Sequence, residues 1–215
     1  MTAPETVFED LKKMKIVKSI YMLFLLFVCL ASFDSPAFAI SGPTEQLKPT
    51  LKVLIDILVD PSLKGDEHKV ERRAKIMGHV VKGFDFREMS QRVIGKEWKT
   101  LPPEKQDHFQ ALFTKLLENA YIGKFEGYSG QEIKYLEERL KDDRAIVSTQ
   151  IENNGQDIPV DYIMLKKEER WMVYDINIEG VSLVRNYMEQ FKSILRRDKF
   201  EGLVKLLEER NSTLE

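Results

Sequence analysis

The sequence has little of the chemistry that most enzymes and metal proteins use. Its 215 residues contain one cysteine and three histidines. None of the histidines, His68, His79 and His108, lies three or four residues from another, and none has the spacing of a metal ligand. The chain also has no glycine-rich phosphate loop and no nucleophile elbow. These absences predict no metal site, no cofactor and no catalytic residue set.

Neither sign of charge dominates the chain. Lys and Arg total 33 against 35 Asp and Glu, which gives a net charge of −2. Without a basic field, the composition does not favour binding to nucleic acid or to an anionic membrane surface. A late group of basic residues is expected to form a solvated helix face rather than a docking patch: Arg185, Lys192, Arg196, Arg197 and Lys199.

The first forty residues have the pattern of a secretory signal peptide. Four lysines between positions 12 and 18 precede Ile20 to Ala31, an unbroken apolar run, and Ala37-Phe38-Ala39 places small residues before a cleavage site. The run is shorter than the roughly 20 residues that cross a bilayer. We therefore predict a leader over residues 1–39, cut after Ala39, with Met14 as a second candidate for the translation start. An uncleaved amphipathic anchor is the alternative.

The only cysteine, Cys29, lies inside that run and is removed with the leader. Val28 is bulky where lipoprotein processing needs a small residue, so we expect no lipid anchor. The mature chain, residues 40–215, then has no disulfide, and its stability must come from an ordinary apolar core. It contains no repeat or linker, which predicts a single domain.

The first part of the mature chain is predicted to be helical. Apolar residues recur at helical spacing over Pro43 to Val59 and over Glu67 to Val81. On the second helix the expected buried stripe is Val70, Ala74, Met77 and Val81. Asp85 is expected to cap a short helix. The strongest helix is Pro103 to Phe125, because its continuous apolar stripe needs a large partner.

From Gln131 the apolar period changes to two. The four strands that we predict are Ile133–Arg139, Arg144–Glu152, Ile158–Lys166 and Arg170–Ile178. Short connections make neighbouring strands antiparallel. A two-residue turn at Asn154-Gly155 pairs Asn153 with Gln156. One face of the sheet then carries Val147, Thr149, Ile151, Ile158, Val160, Tyr162 and Met164.

The register of the last strand depends on a weaker turn signal, Glu168-Glu169. A two-residue turn there adds four residues to the same face: Trp171, Val173, Asp175 and Asn177. A shift of one residue would instead place Met172, Tyr174, Ile176 and Ile178 on it. In the first register Asp175 lies opposite Tyr162 on an apolar surface and is a candidate general base. The alternative is that it accepts hydrogen bonds from Tyr162 or from backbone donors at the joint between strand and helix.

A helix follows from Leu183, and Asp198 is the expected cap of a terminal helix. Helices therefore come first, then an antiparallel sheet, then helices again. This order predicts the α+β class.

Several segments together resemble the MlaC family, the toluene-tolerance or organic-solvent-resistance auxiliary proteins of Gram-negative bacteria. They are Phe84 to Ser90, Pro103 to Tyr121, Ile158 to Tyr162 and Val181 to Tyr187, in that order. The likeness spans nearly all of the mature chain. It departs in detail at Glu168-Glu169, where Asp-Gly is commoner.

The resemblance implies a periplasmic phospholipid carrier that is not an enzyme. Such a carrier shuttles lipid between an outer-membrane lipoprotein complex and an inner-membrane ABC transporter, and so maintains outer-membrane lipid asymmetry. The implied fold is a curved antiparallel sheet of about four strands, wrapped by helices at both chain ends, that encloses an apolar lipid pocket in a monomer. Phospholipid is the cargo, and no cofactor is implied.

The apolar sheet face and two helical stripes are the expected pocket lining. The residues are Phe113, Leu117, Tyr121, Phe125, Val147, Thr149, Ile151, Val160, Tyr162, Met164, Val173, Val184, Tyr187 and Phe191. Two other functions stay open at this point. One is a small-molecule isomerase or hydrolase of a cone-shaped α+β fold with Asp175 as base and Tyr162 as hydrogen-bond donor. The other is an interacting subunit without a cavity.

Overall fold

The helices and strands follow the predicted order. A computed structural model describes residues 41–126, 130–153 and 155–213, with the backbone alone at residues 123–126 and 153. The α-helices of this part are α1 Pro43–Val59, α2 Lys69–Gly83, α3 Phe86–Ile94, α4 Pro103–Glu126 and α5 Leu183–Thr213. The strands are β1 Ile133–Lys141, β2 Arg144–Asn153, β3 Gln156–Lys167, β4 Arg170–Ile178 and β5 Val181–Ser182. The predicted leader lies outside the described residues, so its cleavage stays a prediction.

The sheet is antiparallel throughout, with the strands in chain order and the two edges unjoined. The α+β class is confirmed. The sheet has five strands rather than four, because the chain forms the short strand β5 before it enters α5. Register shifts in β1 and β4 mark β-bulges, which bend the strands and curve the sheet.

The hairpin α1–α2 (residues 43–83) packs against the sheet, and the first turn of α1 is hydrogen-bonded to it. Helix α1 has the predicted bounds, and the Glu138 carboxylate of β1 accepts hydrogen bonds from the backbone N–H of Thr44 at 2.8 Å and from its hydroxyl at 2.5 Å. Glu138 therefore satisfies an N–H at the first turn of α1, where a helix has no internal partner.

The predicted buried stripe of α2 is wrong at Val70, Ala74 and Val81, whereas Met77 packs against the core as predicted. Val70 and Val81 are 80% and 50% exposed, whereas Arg72 and Ile76 are buried. The guanidinium of Arg72 donates to the carbonyl oxygens of Leu63 and Gly65, which fixes the rotation of the helix. Apolar spacing alone did not predict this, because the residue that sets the buried face is a charged one whose stem packs inside.

The segment before α3 covers the free edge of β4. Phe84 forms a parallel bridge with Val173, and the Asp85 N–H donates to the Val173 carbonyl at 2.8 Å. The Asp85 carboxylate accepts from the Glu88 N–H at 2.9 Å and lies 2.5 Å from Nζ of Lys167. The predicted cap of α3 is therefore confirmed, and it also joins the helix to the sheet.

Helices α4 and α5 pack through aromatic side chains. Phe113 contacts Tyr187 and Phe191 with ring centroids 5.4 and 5.8 Å apart, both edge to face. Phe109 contacts Phe191 and Phe200 at 6.3 and 5.9 Å. Edge-to-face pairs at these distances add to the free energy of burial, so this seam is a sealed part of the core.

Helix α5 breaks at Lys199, which has a left-handed backbone with φ 61° and ψ −170°. The break divides α5 into two segments at the predicted position. The Asp198 carboxylate accepts two hydrogen bonds from Nε of Arg197, at 3.0 and 2.9 Å. The neighbouring guanidinium, rather than a backbone N–H of the terminal segment, is therefore the partner of Asp198, and the predicted cap is not confirmed.

The register of the β2–β3 hairpin is confirmed. Asn153 pairs with Gln156, Thr149 with Val160, and Ile151 with Ile158. Asn154 lies outside the described residues, and Gly155 has φ 79°, in the region that glycine adopts most readily. The alternation of apolar residues and the Asn-Gly signal were together sufficient to place every pair.

The β3–β4 register begins as predicted and then changes. Lys167 pairs with Arg170 across the two-residue turn, where Glu168 takes a left-handed φ of 55°. Met164 pairs with Val173, but the next pair joins Ile163 to Asp175. Tyr174 is thus an extra residue in β4.

The bulge at Tyr174 reverses the predicted orientation of the rest of β4. Ile176 lies opposite Tyr162, and Ile178 lies opposite Val160. The prediction that Asp175 faces Tyr162, with Asn177 on the same face, is therefore wrong. The physical reason is the inserted residue, because a single-residue shift moves each following side chain to the other face.

Asp175 instead joins β4 to the start of α5. Its carboxylate accepts from the Ser182 hydroxyl at 2.5 Å and from the Val184 N–H at 2.9 Å. The Ser182 hydroxyl in turn accepts from the Arg185 N–H at 3.0 Å. Two backbone donors in the first turn of α5 are satisfied in this way. The alternative that placed Asp175 at the joint between strand and helix is confirmed.

We predict that Asp175→Ala lowers the free energy of unfolding by about 1–3 kcal/mol, because the Val184 N–H and the Ser182 hydroxyl lose their acceptor in a partly buried joint. Urea denaturation measures this change. Asp157→Ala, at an exposed position of β3, is the matched control and should alter stability by less than about 0.5 kcal/mol. Equal stabilities of the two variants would contradict the assigned role.

Candidate functional site

An apolar cavity of about 190 Å³ lies between the hairpin α1–α2, helices α3 and α4, and one face of the sheet. Its lining consists of Leu51, Leu54, Leu58, Ile76, Met77, Val80, Phe84, Phe86, Met89, Leu117, Glu118, Tyr121, Ile122, Ile151, Val160, Tyr162, Ile176, Ile178 and Leu183. Of these lining residues Glu118 alone carries a charge. A space walled almost entirely by aliphatic and aromatic side chains favours a hydrocarbon ligand.

The apolar pattern and the local geometry of each helix or strand decide which of its side chains face the cavity. The apolar stripe of α1 and the rotated stripe of α2 meet the sheet from one side. The alternation in β2 and β3 brings Ile151, Val160 and Tyr162 to the facing side. The bulge in β4 adds Ile176 and Ile178. Without the inserted residue, Asp175 and Asn177 would occupy those two positions.

Five of the predicted lining residues lie at this cavity: Leu117, Tyr121, Ile151, Val160 and Tyr162. They come from α4, β2 and β3, which the sequence had predicted to form opposite walls. The structure therefore brings the sheet face and the second half of the α4 stripe to a common space.

The other predicted lining residues have different surroundings. Phe113, Tyr187 and Phe191 belong to the aromatic seam between α4 and α5. Five more of the predicted lining residues are buried outside this cavity: Val147, Thr149, Met164, Val173 and Val184. The side chain of Phe125 lies outside the described residues. Contact of these nine with a ligand stays a prediction.

Sequence reasoning missed the contribution of α1, α2 and α3 to the cavity. Leu51, Leu54 and Met77 lie on apolar helical stripes, but none of them was among the predicted lining residues. Apolar spacing cannot distinguish a residue packed against a neighbour from one that faces an empty space, because both are hydrophobic. Ile176 and Ile178 were missed because no glycine or proline marks the bulge.

Two tyrosines give the site and its neighbourhood their unusual acid–base behaviour. Burial, with a smaller effect from Tyr135, raises the pKa of the Tyr162 hydroxyl well above its usual range. Burial chiefly raises the pKa of Tyr187 to about 12, aided by Tyr121. The raised pKa values keep both phenols neutral at a pH where an exposed tyrosine ionises.

A second, more polar groove of about 800 Å³ adjoins the cavity and shares Phe84, Phe86 and Glu118 with it. Its cationic lining residues are Arg87, Lys115, Lys167 and Arg170. Arg87 lies 2.7 Å from Asp107, and Lys115 lies 3.6 Å from Glu118. Lys167 is likewise paired with Asp85, whereas Arg170 donates to the Lys82 carbonyl.

Within residues 41–126, 130–153 and 155–213, no group of three or more His, Cys, Asp or Glu residues could hold a metal ion. In the same part of the chain no helix has both the length and the hydropathy to cross a membrane.

Asp175, the candidate base, does not line the cavity. Its hydrogen bonds at the start of α5 leave the enzymatic alternative without its proposed base.

We predict that stability falls as the pH rises above about 10. The unfolded chain then releases the proton of residue 162 at the ordinary tyrosine pKa, whereas the folded chain retains it, so the folded state is penalised by up to about 1.4 kcal/mol per pH unit. Tyr162→Phe should therefore show a shallower decline of unfolding free energy between pH 10 and 11.5. Parallel declines for the variant and the wild type would contradict the assignment.

Comparison with known proteins gives the cavity a context. A curated relative, the intermembrane phospholipid transport system binding protein MlaC of Haemophilus influenzae, is 25% identical over 119 residues. That match covers 53% of this chain and 56% of the relative, so the chain spans little more than half of the relative's length.

A solved structure matches over a larger part of the chain. The phospholipid-binding protein from Ralstonia solanacearum, in complex with a phospholipid, has a TM-score of 0.72 and 29% sequence identity. The match covers 81% of this chain and 99% of that one. The family model described as MlaC protein matches residues 48–209, which is most of the sequence. The chain therefore belongs to the MlaC family.

Proposed function

We propose that this protein is a phospholipid carrier that holds acyl chains in the cavity between the hairpin α1–α2, α4 and the sheet. The observation that carries the proposal is the near-complete apolar lining of that cavity in a member of the MlaC family. The phospholipid in the related Ralstonia structure supports the same ligand class.

The energetics of acyl chains explain why a carrier needs such a lining. Burying a methylene is worth about 0.8 kcal/mol, so two chains of about 16 carbons gain roughly 25 kcal/mol on leaving water. A phospholipid therefore does not cross an aqueous space unaided at a useful rate. An apolar interior offers the chains an environment like the one that they leave in the membrane.

The cavity must widen to receive two chains. Its volume of about 190 Å³ is below the roughly 300–1,000 Å³ that is usual for ligand pockets. The walls meet through aliphatic side chains, so they can separate and repack on hydrocarbon without breaking hydrogen bonds among those side chains. Lipid then replaces the contacts between the walls rather than filling a preformed hole.

The hairpin α1–α2 is the wall best placed to move. Polar contacts hold it near the β3–β4 turn: the Gln46 side chain accepts from the Trp171 N–H at 2.9 Å and donates to the Glu169 carbonyl at 3.2 Å. Arg170 donates to the Lys82 carbonyl at the same end. Apolar residues such as Leu54 and Met77 face the cavity beyond these attachments.

The cellular role that we propose follows from family membership. The chain is exported by a leader over residues 1–39 and works in the periplasm as the single domain 40–215. It exchanges lipid with an inner-membrane ABC transporter complex and an outer-membrane lipoprotein complex, which maintains outer-membrane asymmetry. It acts without catalysis, metal or cofactor, and its partners supply the direction of transport. The relative from Haemophilus is likewise described as the binding protein of an intermembrane phospholipid transport system.

The first test is chemical identification of the cargo. Lipid extraction and mass spectrometry of the purified mature protein should find co-purified phospholipid, and delipidated protein should take up phospholipid from vesicles. Delipidated protein that is folded but takes up none, together with a lipid-free extract, would contradict the proposed function.

A second test narrows the cavity. We predict that Leu54→Trp lowers the bound phospholipid at least about fivefold, because the larger side chain enters the space that the chains need. Quantitative lipid analysis after vesicle exchange measures the effect. Leu136→Trp is the matched control, since Leu136 is 61% exposed on β1 and outside the cavity lining. Equal loading of the two variants would exclude the cavity as the binding site.

A further inference from the structure

The apolar face of the sheet does not stop at the cavity. Ile178 lines the cavity, pairs with the buried Val160 on one side and with Val181 of β5 on the other, and is itself 36% exposed. Val181 is 60% exposed. Paired residues of an antiparallel ladder share a face, so Val181 continues the lining outward beyond Ile178.

The chain returns to the cavity directly after this exposed pair. Leu183 is two residues beyond Val181 and lines the cavity again. The ladder Val160, Ile178 and Val181 therefore passes from 5% through 36% to 60% exposure along one surface. A branched aliphatic side chain at 60% exposure gains little from folding here, because most of its surface remains in water.

The backbone holds this exposed pair in a defined place. Glu179 and Gly180 form the turn between β4 and β5 with left-handed φ values of 52° and 81°. The Glu179 N–H donates to the Pro159 carbonyl of β3 at 3.0 Å. Asp175 holds the other end of β5 through Ser182. The pair is therefore a fixed apolar ledge, defined as Ile178 and Val181, at the end of the sheet.

We propose that the ledge is the entrance of the site, over which phospholipid acyl chains slide into and out of the cavity. This inference rests on the proposed function and adds the route to it. A chain that leaves the space between Tyr162 and Ile176 meets Ile178 next and Val181 after it. The ledge keeps part of the hydrocarbon in apolar contact during transfer, which lowers the barrier to exchange rather than the free energy of the bound state.

The test measures rate and endpoint separately. Vesicles of phosphatidylethanolamine and phosphatidylglycerol with a fluorescent phospholipid load the delipidated protein, and both the initial rate and the final stoichiometry are recorded. We expect Val181→Asp to load about tenfold more slowly than the wild type. Hydrocarbon that passes the ledge would have to displace water from the carboxylate, which costs free energy. The final stoichiometry should equal that of the wild type, since Val181 lies outside the cavity lining.

Matched variants make the result specific. Val70→Asp places the same charge at a position on α2 that is 80% exposed and outside the cavity lining, and should load at the wild-type rate. Val181→Leu should also keep that rate, because it preserves the apolar ledge. Val181→Asn is the uncharged polar variant, and carries the test if Val181→Asp does not fold.

The outcomes separate the route from the function. Slow loading of Val181→Asp or Val181→Asn, with wild-type rates for Val70→Asp and Val181→Leu, supports the ledge. Wild-type rates for the polar variants at residue 181, or equal slowing by Val70→Asp, would overturn it. A wild type that takes up no phospholipid contradicts the proposed function itself and is seen before any variant is compared.

Discussion

The insertion of Tyr174 into β4 decides which side chains face the cavity. Before the insertion, Val173 pairs with Met164 inside the core; after it, Ile176 and Ile178 continue the apolar face. With a regular strand, Asp175 and Asn177 would project into the cavity and would need polar partners there. The bulge moves the carboxylate to the start of α5, where it accepts from Ser182 and the Val184 N–H. One extra residue thus produces both an apolar wall and the joint to α5.

The rest of the molecule divides into a rigid seam and a wall that can open. Edge-to-face aromatic contacts hold α4 against α5, and the cap Asp85 with Lys167 holds α3 against the sheet. The hairpin α1–α2 meets the cavity through aliphatic side chains, with Gln46 among its polar attachments near the β3–β4 turn. Apolar contacts are not directional, so this wall can exchange its own contacts for those of a hydrocarbon chain. Movement of this wall would allow a cavity of about 190 Å³ to receive the two acyl chains of a phospholipid.

Much of the fold could be predicted from the sequence where a local signal and the apolar period agree. The Asn-Gly turn and strict alternation determined the β2–β3 pairs. The bounds of α1 followed from its apolar spacing and from Pro61, which disfavours a helical conformation at Asp60. Prediction failed where a feature that the apolar period does not encode sets the orientation of the side chains. Arg72 rotates α2 by bonding two carbonyls of the preceding loop, and no glycine or proline marks the bulge at Tyr174.

The cavity itself was less predictable than the fold. Val160 and Tyr162 line it, while Val147 and Met164 on the same sheet face are packed in the core. All four are apolar and alternate correctly, so sequence identifies the face but not the part of it left uncovered. That depends on where α1, α2 and α4 lie above the sheet, which is a property of the assembled core.

The central claim is that acyl chains occupy the space between the hairpin α1–α2 and the sheet. A crystal structure of the protein loaded with phospholipid tests it most directly. The account predicts hydrocarbon density against Val160, Tyr162 and Ile176, a larger cavity, and a hairpin displaced from the sheet. Lipid density elsewhere on the molecule, with the present walls still in contact, would contradict it.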